Sequence, residues 1–188
     1  MSSLARAIDW RSHVWFAMLV AASIGLSTTF ACATPLVAFG AAAALTLPSR
    51  DALRLIGVVW FTDQVFGYTV LHYPQTANSV AWGLIMGAAA VLATVAAQRA
   101  LQRSEGRPKT VAAFAAFLVG FVVHQVALAV PAVMGLGGLG GFKPAVIARV
   151  FMVNAGTLVG LMVLNYLGRA VGLAAQSSTP FTRTRRPA

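Results

Sequence analysis

Charge is what this sequence has least of. Only 10% of its 188 residues are charged, while 59% are hydrophobic. A soluble domain carries about 25% charged residues, so the composition excludes an ordinary water-soluble fold and predicts an integral membrane protein. Acidic residues are scarcest: Asp9, Asp51, Asp63 and Glu105 are the four present. They supply no carboxylate pair for two-metal or general acid–base chemistry. No HExxH and no nucleophile–base–orienter set is present, and the chain is not expected to be an enzyme. A single cysteine, Cys32, excludes an intrachain disulfide and a Cys-rich metal site. One internal histidine, His124, together with His72 gives no metal-ligand spacing, so neither metal nor cofactor is expected. The net charge of +10 would point to nucleic acid in a soluble protein. Here the basic residues sit in short loops between apolar runs, which is the pattern of membrane topology, and no nucleic-acid partner is expected.

What is present is a series of apolar runs. They predict an all-α membrane protein: a six-transmembrane-helix bundle with both termini cytoplasmic. Residues 1–12 form a polar cytoplasmic start, 13–168 the six-helix domain, and 169–188 a basic, Ser/Thr/Pro-rich cytoplasmic tail expected to be disordered. The spans run over about 13–31, 36–47, 54–73, 79–97, 111–134 and 145–167, each to be weighed against the ~20 residues a crossing needs. The second is short. It starts inside the membrane, tilts, or borrows residues from the break at Cys32–Pro35. Ser49 and Asp51 are expected N-caps of the third helix. Inner segments 1–12, 48–54, 98–110 and 169–188 collect twelve of the 14 Lys and Arg residues; Lys143 and Arg149 are the exceptions. That asymmetry supports the orientation and a bacterial inner-membrane location. The run GLGGLGG, Gly135 to Gly141, reads as a mobile outer loop. Its spacing is no phosphate-binding pattern.

Asp63 is the one acidic residue in any apolar segment. A carboxyl group at that depth is costly unless paired, which makes it a functional-site candidate. With the orientation above, Asp63 and Gln64 fall near mid-depth, with Tyr68, His72, Trp82, His124, Arg149 and Asn154 in the outer half. Their convergence would make a cavity open to the outside under the Gly-rich loop. Plainer readings stand beside this one. Asp63 pairs with another side chain to fix helix packing; His124 bonds to a backbone carbonyl; Arg149 snorkels to headgroups; Trp82 and Tyr73 anchor the interface. On the first span, Ala17, Ala21 and Gly25 recur every four residues, a stripe that lets another helix approach closely.

Six short helices, the small-residue stripe, the outer Gly-rich loop and the region from Thr34 to Tyr73, beginning TPLVAFGAAAALTLPSRDALRLIGVVWFTDQVFGY, resemble the substrate-binding (S) component of energy-coupling-factor (ECF) type vitamin transporters. The resemblance implies a vitamin-like small-molecule ligand bound from the outside by Asp63, Gln64, Tyr68, His72, Trp82, His124, Arg149 and Asn154. It also implies docking of Ala17, Ala21 and Gly25 on a transmembrane coupling protein with ATPase subunits. The chain departs from the family in its short Cys32–Pro35 connection and in lacking the histidine run of the nickel and cobalt members. Two other classes stay open: a non-catalytic accessory subunit of a larger membrane complex, and a redox protein using His72 and His124.

Overall fold

The computed structural model describes residues 34–170 together with Val14, Ala17, Met18, Val20, Ala21, Ala22 and Gly25. The expected N-terminal segment 1–12 and the tail from 171 onward lie outside the described residues, as does Cys32. Those described N-terminal residues are helical and are referred to as α1. The remaining helices are α2 (Leu36–Thr46), α3 (Ser49–Thr69), α4 (Ala77–Arg103), α5 (Lys109–Pro131) and α6 (Pro144–Ala170). A wide π turn, Ala132–Leu136, and a 3-10 turn, Leu139–Phe142, join α5 to α6. No strand occurs among the described residues.

Three helical stretches, Ala77–Arg103, Lys109–Leu136 and Pro144–Gly168, are long and apolar enough to cross a membrane. The outer faces agree with this: Phe61, Leu84, Phe114, Val122, Met152 and Val159 are all exposed. So much bare apolar surface belongs against acyl chains rather than water. The chain is therefore an all-α membrane protein. α3 spans 21 residues but carries Arg50, Asp51, Arg54 and Asp63, and is not among the three.

The packing centre is the shortest helix. α2 has 11 residues, and the eight from Leu36 to Ala43 are buried. It packs against α3, α4, α5 and α6. At 1.5 Å per residue it is about 16 Å long, roughly half a hydrocarbon core. The helical residues by themselves are shorter than a full crossing. A helix start inside a membrane bundle is tolerated where protein buries it, and Pro35 precedes the first helical residue because the residue before a proline is pushed out of helical geometry. The first-turn amide of Ala38 donates to Asn154 Oδ1 on α6 at 3.0 Å, so a distant side chain satisfies one of the orphan donors of a helix N-terminus.

Small residues set how closely the other helices approach. Gly40 of α2 faces the Thr94 hydroxyl of α4, and Gly83 of α4 faces the Gln64 side chain of α3. One turn further along, a Cβ on Gly87 would lie 2.6 Å from the Trp60 ring, whose Nε1–H donates to the Gly83 carbonyl at 2.8 Å. The Gly83/Gly87 pair of α4 is thus the seat of α3.

α3 starts earlier and ends earlier than its apolar run. Pro48 precedes it with no side-chain cap bond, so neither Ser49 nor Asp51 is the N-cap expected of them. Both lie inside the first turn, where Asp51 complements the helix dipole and pairs with Arg54 at 3.1 Å. At the other end the helix stops at Thr69. His72 takes φ 54°, and the chain folds back so that the Tyr73 amide donates to the Gly67 carbonyl at 3.0 Å. His72 and Tyr73 therefore belong to a turn and not to a continuing helix.

Candidate functional site

The site grows from the end of the bundle where α3 stops, α4 starts and α5 opens into the Gly-rich loop. Counting 1.5 Å per residue, Asp63, Trp82 and His124 lie about 9, 8 and 11 Å from those helix ends. Three helices thus bring three chemically different side chains to one level. The buried positions of α3 are Ala52, Leu55, Ile56, Val59, Asp63 and Gly67, spaced by three and four, so Asp63 continues the stripe that faces the neighbouring helices.

Between these helices is a cavity of about 410 Å³. Asp63, Tyr73, Trp82, His124 and Gln125 line it, with Thr34 and Leu36 at the start of α2. Met86, Leu128, Phe142, Val146 and Val150 supply apolar wall. The Gly-rich loop closes one side. Gly137 and Gly138 have φ of 84° and 83°, backbone that glycine adopts without a Cβ penalty. A Cβ on Gly138 would stand 3.0 Å from the Trp82 ring, so the loop rests directly on that indole. Asn78 Nδ2 donates to the Leu136 carbonyl at 3.0 Å, which ties the loop to the first turn of α4.

The Asp63 carboxylate is held from two sides. The Thr34 hydroxyl donates to one oxygen at 2.5 Å, and the Gln64 amide reaches the other at 3.4 Å. Thr34, one residue before Pro35, thereby links the start of the broken helix to α3. His124 is different. It is 8% exposed, and neither ring nitrogen is hydrogen-bonded among the described residues, although the Gln125 side chain lies beside it. Buried polar atoms are nearly always paired, and an exception in a cavity wall calls for an explanation.

Of the eight ligand candidates from the sequence, the cavity gathers Asp63, Trp82 and His124. Gln64 and Tyr68 stand behind it: Gln64 fills the Gly83 notch, while the Tyr68 hydroxyl pairs with Ser79 Oγ at 3.2 Å and its ring meets Tyr73 edge-on at 6.0 Å. His72 is exposed and its Nδ1 lies 2.9 Å from the Val70 carbonyl. Arg149 is exposed on α6 and does not line the cavity. Asn154 is 2% exposed and serves α2, its Nδ2 also donating to Val150 at 2.9 Å. Thr34 and Phe142 were not singled out by sequence reasoning. The X–Pro break was a signal for the first; nothing marked the second. Among the described residues no group of three His, Cys, Asp or Glu side chains is placed to hold a metal ion.

Ala17, Ala21 and Gly25 of α1 are exposed. Gly25 and Ala22 line a separate apolar groove with Gly156, Thr157, Gly160 and Leu161 of α6.

Comparison with protein-family models, with curated proteins and with solved structures gives no match to this chain. The function is therefore argued from geometry.

Proposed function

We propose that this chain is a six-crossing protein of the bacterial inner membrane, both ends cytoplasmic, that captures a small molecule from the outer side for uptake, in the manner of an ECF S component. The observation that carries the reading is the cavity roofed by the Gly-rich loop, with a buried His124 in its wall that has no hydrogen bond among the described residues. Ligand sites are concave, mostly apolar and furnished with a few convergent polar groups, in volumes of about 300–1,000 Å³. The cavity fits that description. Orientation comes from the basic residues of the 98–110 and 48–54 loops, at the end of the bundle away from the cavity.

Tryptophan fluorescence of the purified protein tests this. A panel of water-soluble vitamins and their precursors should contain a compound that quenches the wild-type emission saturably, and Trp82→Phe should remove most of that change. If no compound acts, or if Trp82→Phe leaves the response intact, the reading fails.

A second reading, a non-catalytic accessory subunit of a larger membrane complex, is favoured by the α6 groove. Among the described residues a Cβ on Gly156 or Gly160 would meet nothing within 4 Å, in contrast to the filled Gly83 and Gly87. Gly156→Leu should then reduce co-purification of a membrane partner while leaving ligand quenching unchanged.

A further inference from the structure

At the end of the bundle away from the cavity, a groove of about 570 Å³ runs between α4 and α5. We infer that it seats an anionic phospholipid, with the phosphate on Arg99, Arg103 and Arg107 and one acyl chain along the apolar walls. The α4 wall includes Leu92, Ala96, Arg99 and Arg103, and the α5 wall is Ala115, Val119 and Val123. Each set recurs every three or four residues, so each wall is one helix face. From Arg103 to Leu92 the wall is about 16 Å long at 1.5 Å per residue. That is close to the ~15 Å of one leaflet's hydrocarbon. Leu92 is 52% exposed and Val119 41%, so among the described residues the groove opens to acyl chains.

The polar end of the groove carries charge of one sign. Arg99 and Arg103 stand one turn apart on α4. The Arg107 amide donates to the Ser104 carbonyl at 3.1 Å and Gly106 takes φ 87°, a turn that returns Arg107 to the same groove. All three arginines are exposed, and none pairs with a carboxylate among the described residues. Glu105 of that turn lines a separate hollow with Ser49 and Gln98. α5 starts after Pro108 with no side-chain cap bond, so the partial positive charge of its N-terminus lies at the same end. Guanidinium forks match phosphate oxygens in paired hydrogen bonds. A soluble phosphate would use the arginines and leave the apolar walls bare. A zwitterionic lipid would bring its own cation beside three others. An anionic phospholipid uses both parts, as headgroups do in basic pockets between membrane helices. Setting the orientation of the chain needs the basic residues but no groove.

The experiment titrates the full-length, delipidated protein in detergent micelles with dioleoyl-phosphatidylglycerol and with dioleoyl-phosphatidylcholine, and counts bound lipid by native mass spectrometry. Phosphatidylglycerol should bind about tenfold or more tighter. Arg99→Gln together with Arg103→Gln should bring the ratio close to one; both side chains are exposed, so the change removes charge and little packing. Arg50→Gln together with Arg54→Gln removes the same charge from the same end, where Gln98 Nε2 donates to the Ser49 carbonyl at 3.4 Å, and should leave most of the preference. Ala115→Leu narrows the groove at constant charge and should lower the phosphatidylglycerol-bound fraction. Excess glycerol 3-phosphate should not displace the lipid. Equal binding of the two lipids by the wild type overturns the site, as does a preference that survives loss of Arg99 and Arg103. An equal loss in the Arg50 and Arg54 variant would show a general basic surface and overturns it too. Unchanged binding in Ala115→Leu, or displacement by glycerol 3-phosphate, overturns the seating of an acyl chain in the groove. None of these outcomes touches the cavity, which the vitamin panel tests separately.

Discussion

Replacing Asn154 by leucine tests the link between α6 and the broken helix. Asn154 Oδ1 receives the Ala38 amide at 3.0 Å, and Ala38 is fully buried at 0% exposure. Leucine keeps the branched outline and the number of heavy atoms but is bulkier, so no cavity is created and any overpacking adds to the loss of the hydrogen bond. An unsatisfied buried backbone donor costs about 1–3 kcal/mol. Side-chain bonds between membrane helices are measured lower, about 0.6 kcal/mol on average with a maximum near 1.7, because the disrupted state finds other partners. The Ala38 amide, enclosed by α2's neighbours, has little access to such partners. We therefore expect a loss of about 1–2 kcal/mol. The second bond of Asn154, to Val150, adds little, because that carbonyl sits within the helix ladder. Reversible unfolding in mixed dodecyl-maltoside and SDS micelles, followed by tryptophan fluorescence, measures the change. Asn154→Ala should be worse than Asn154→Leu, since it adds a void. A leucine variant as stable as wild type would show that α6 does not hold the start of α2.

Three further outcomes are expected. His124→Leu should raise the thermal midpoint, because two buried nitrogens without partners among the described residues are replaced by apolar volume, and should weaken ligand binding; a fall in stability would mean that His124 is paired. Gly87→Ala should destabilise by about 1–3 kcal/mol, because the new methyl group meets the Trp60 ring at 2.6 Å, whereas Gly57→Ala, with nothing within 4 Å, should be neutral or stabilising by up to about 1 kcal/mol; micellar unfolding distinguishes the two. Gly138→Ala should cost about 1–2 kcal/mol through its left-handed backbone and press on Trp82 at 3.0 Å, shifting the tryptophan emission and slowing ligand entry in stopped-flow mixing.

Much of α3 could be read from its residues. Its buried positions recur every three or four residues, so the periodicity that marks a helix face also put Asp63 on the inner side. The Gly83 and Gly87 pair has the four-residue spacing that permits a close approach, and Gln64 and Trp60 occupy the space. The role of α2 could not be read in the same way. LVAFGAAAALT is apolar all round, and a helix with no polar face gives no periodic signal of what it touches. Its shortness reads as a crossing that tilts or borrows residues from the break, and says nothing of its place as the element on which α3, α4, α5 and α6 pack. The partner of Asn154 was hidden for another reason. Ala38 lies 116 positions away along the chain, and no local pattern reports a contact between an asparagine and a distant backbone amide. Arg149 shows the same limit from the other side. Its depth followed from the span, but the face it occupies depends on how α6 rotates, and that is set by packing against α2.

Native mass spectrometry of the full-length protein, extracted from membranes in mild detergent, addresses the cavity most directly. The wild type should carry a non-covalent adduct of a few hundred daltons, released by collisional activation. Trp82→Ala and Asp63→Asn should fly without it. A wild-type spectrum showing only the bare polypeptide and lipid, the same as that of both variants, would contradict the assignment of this cavity as a ligand site.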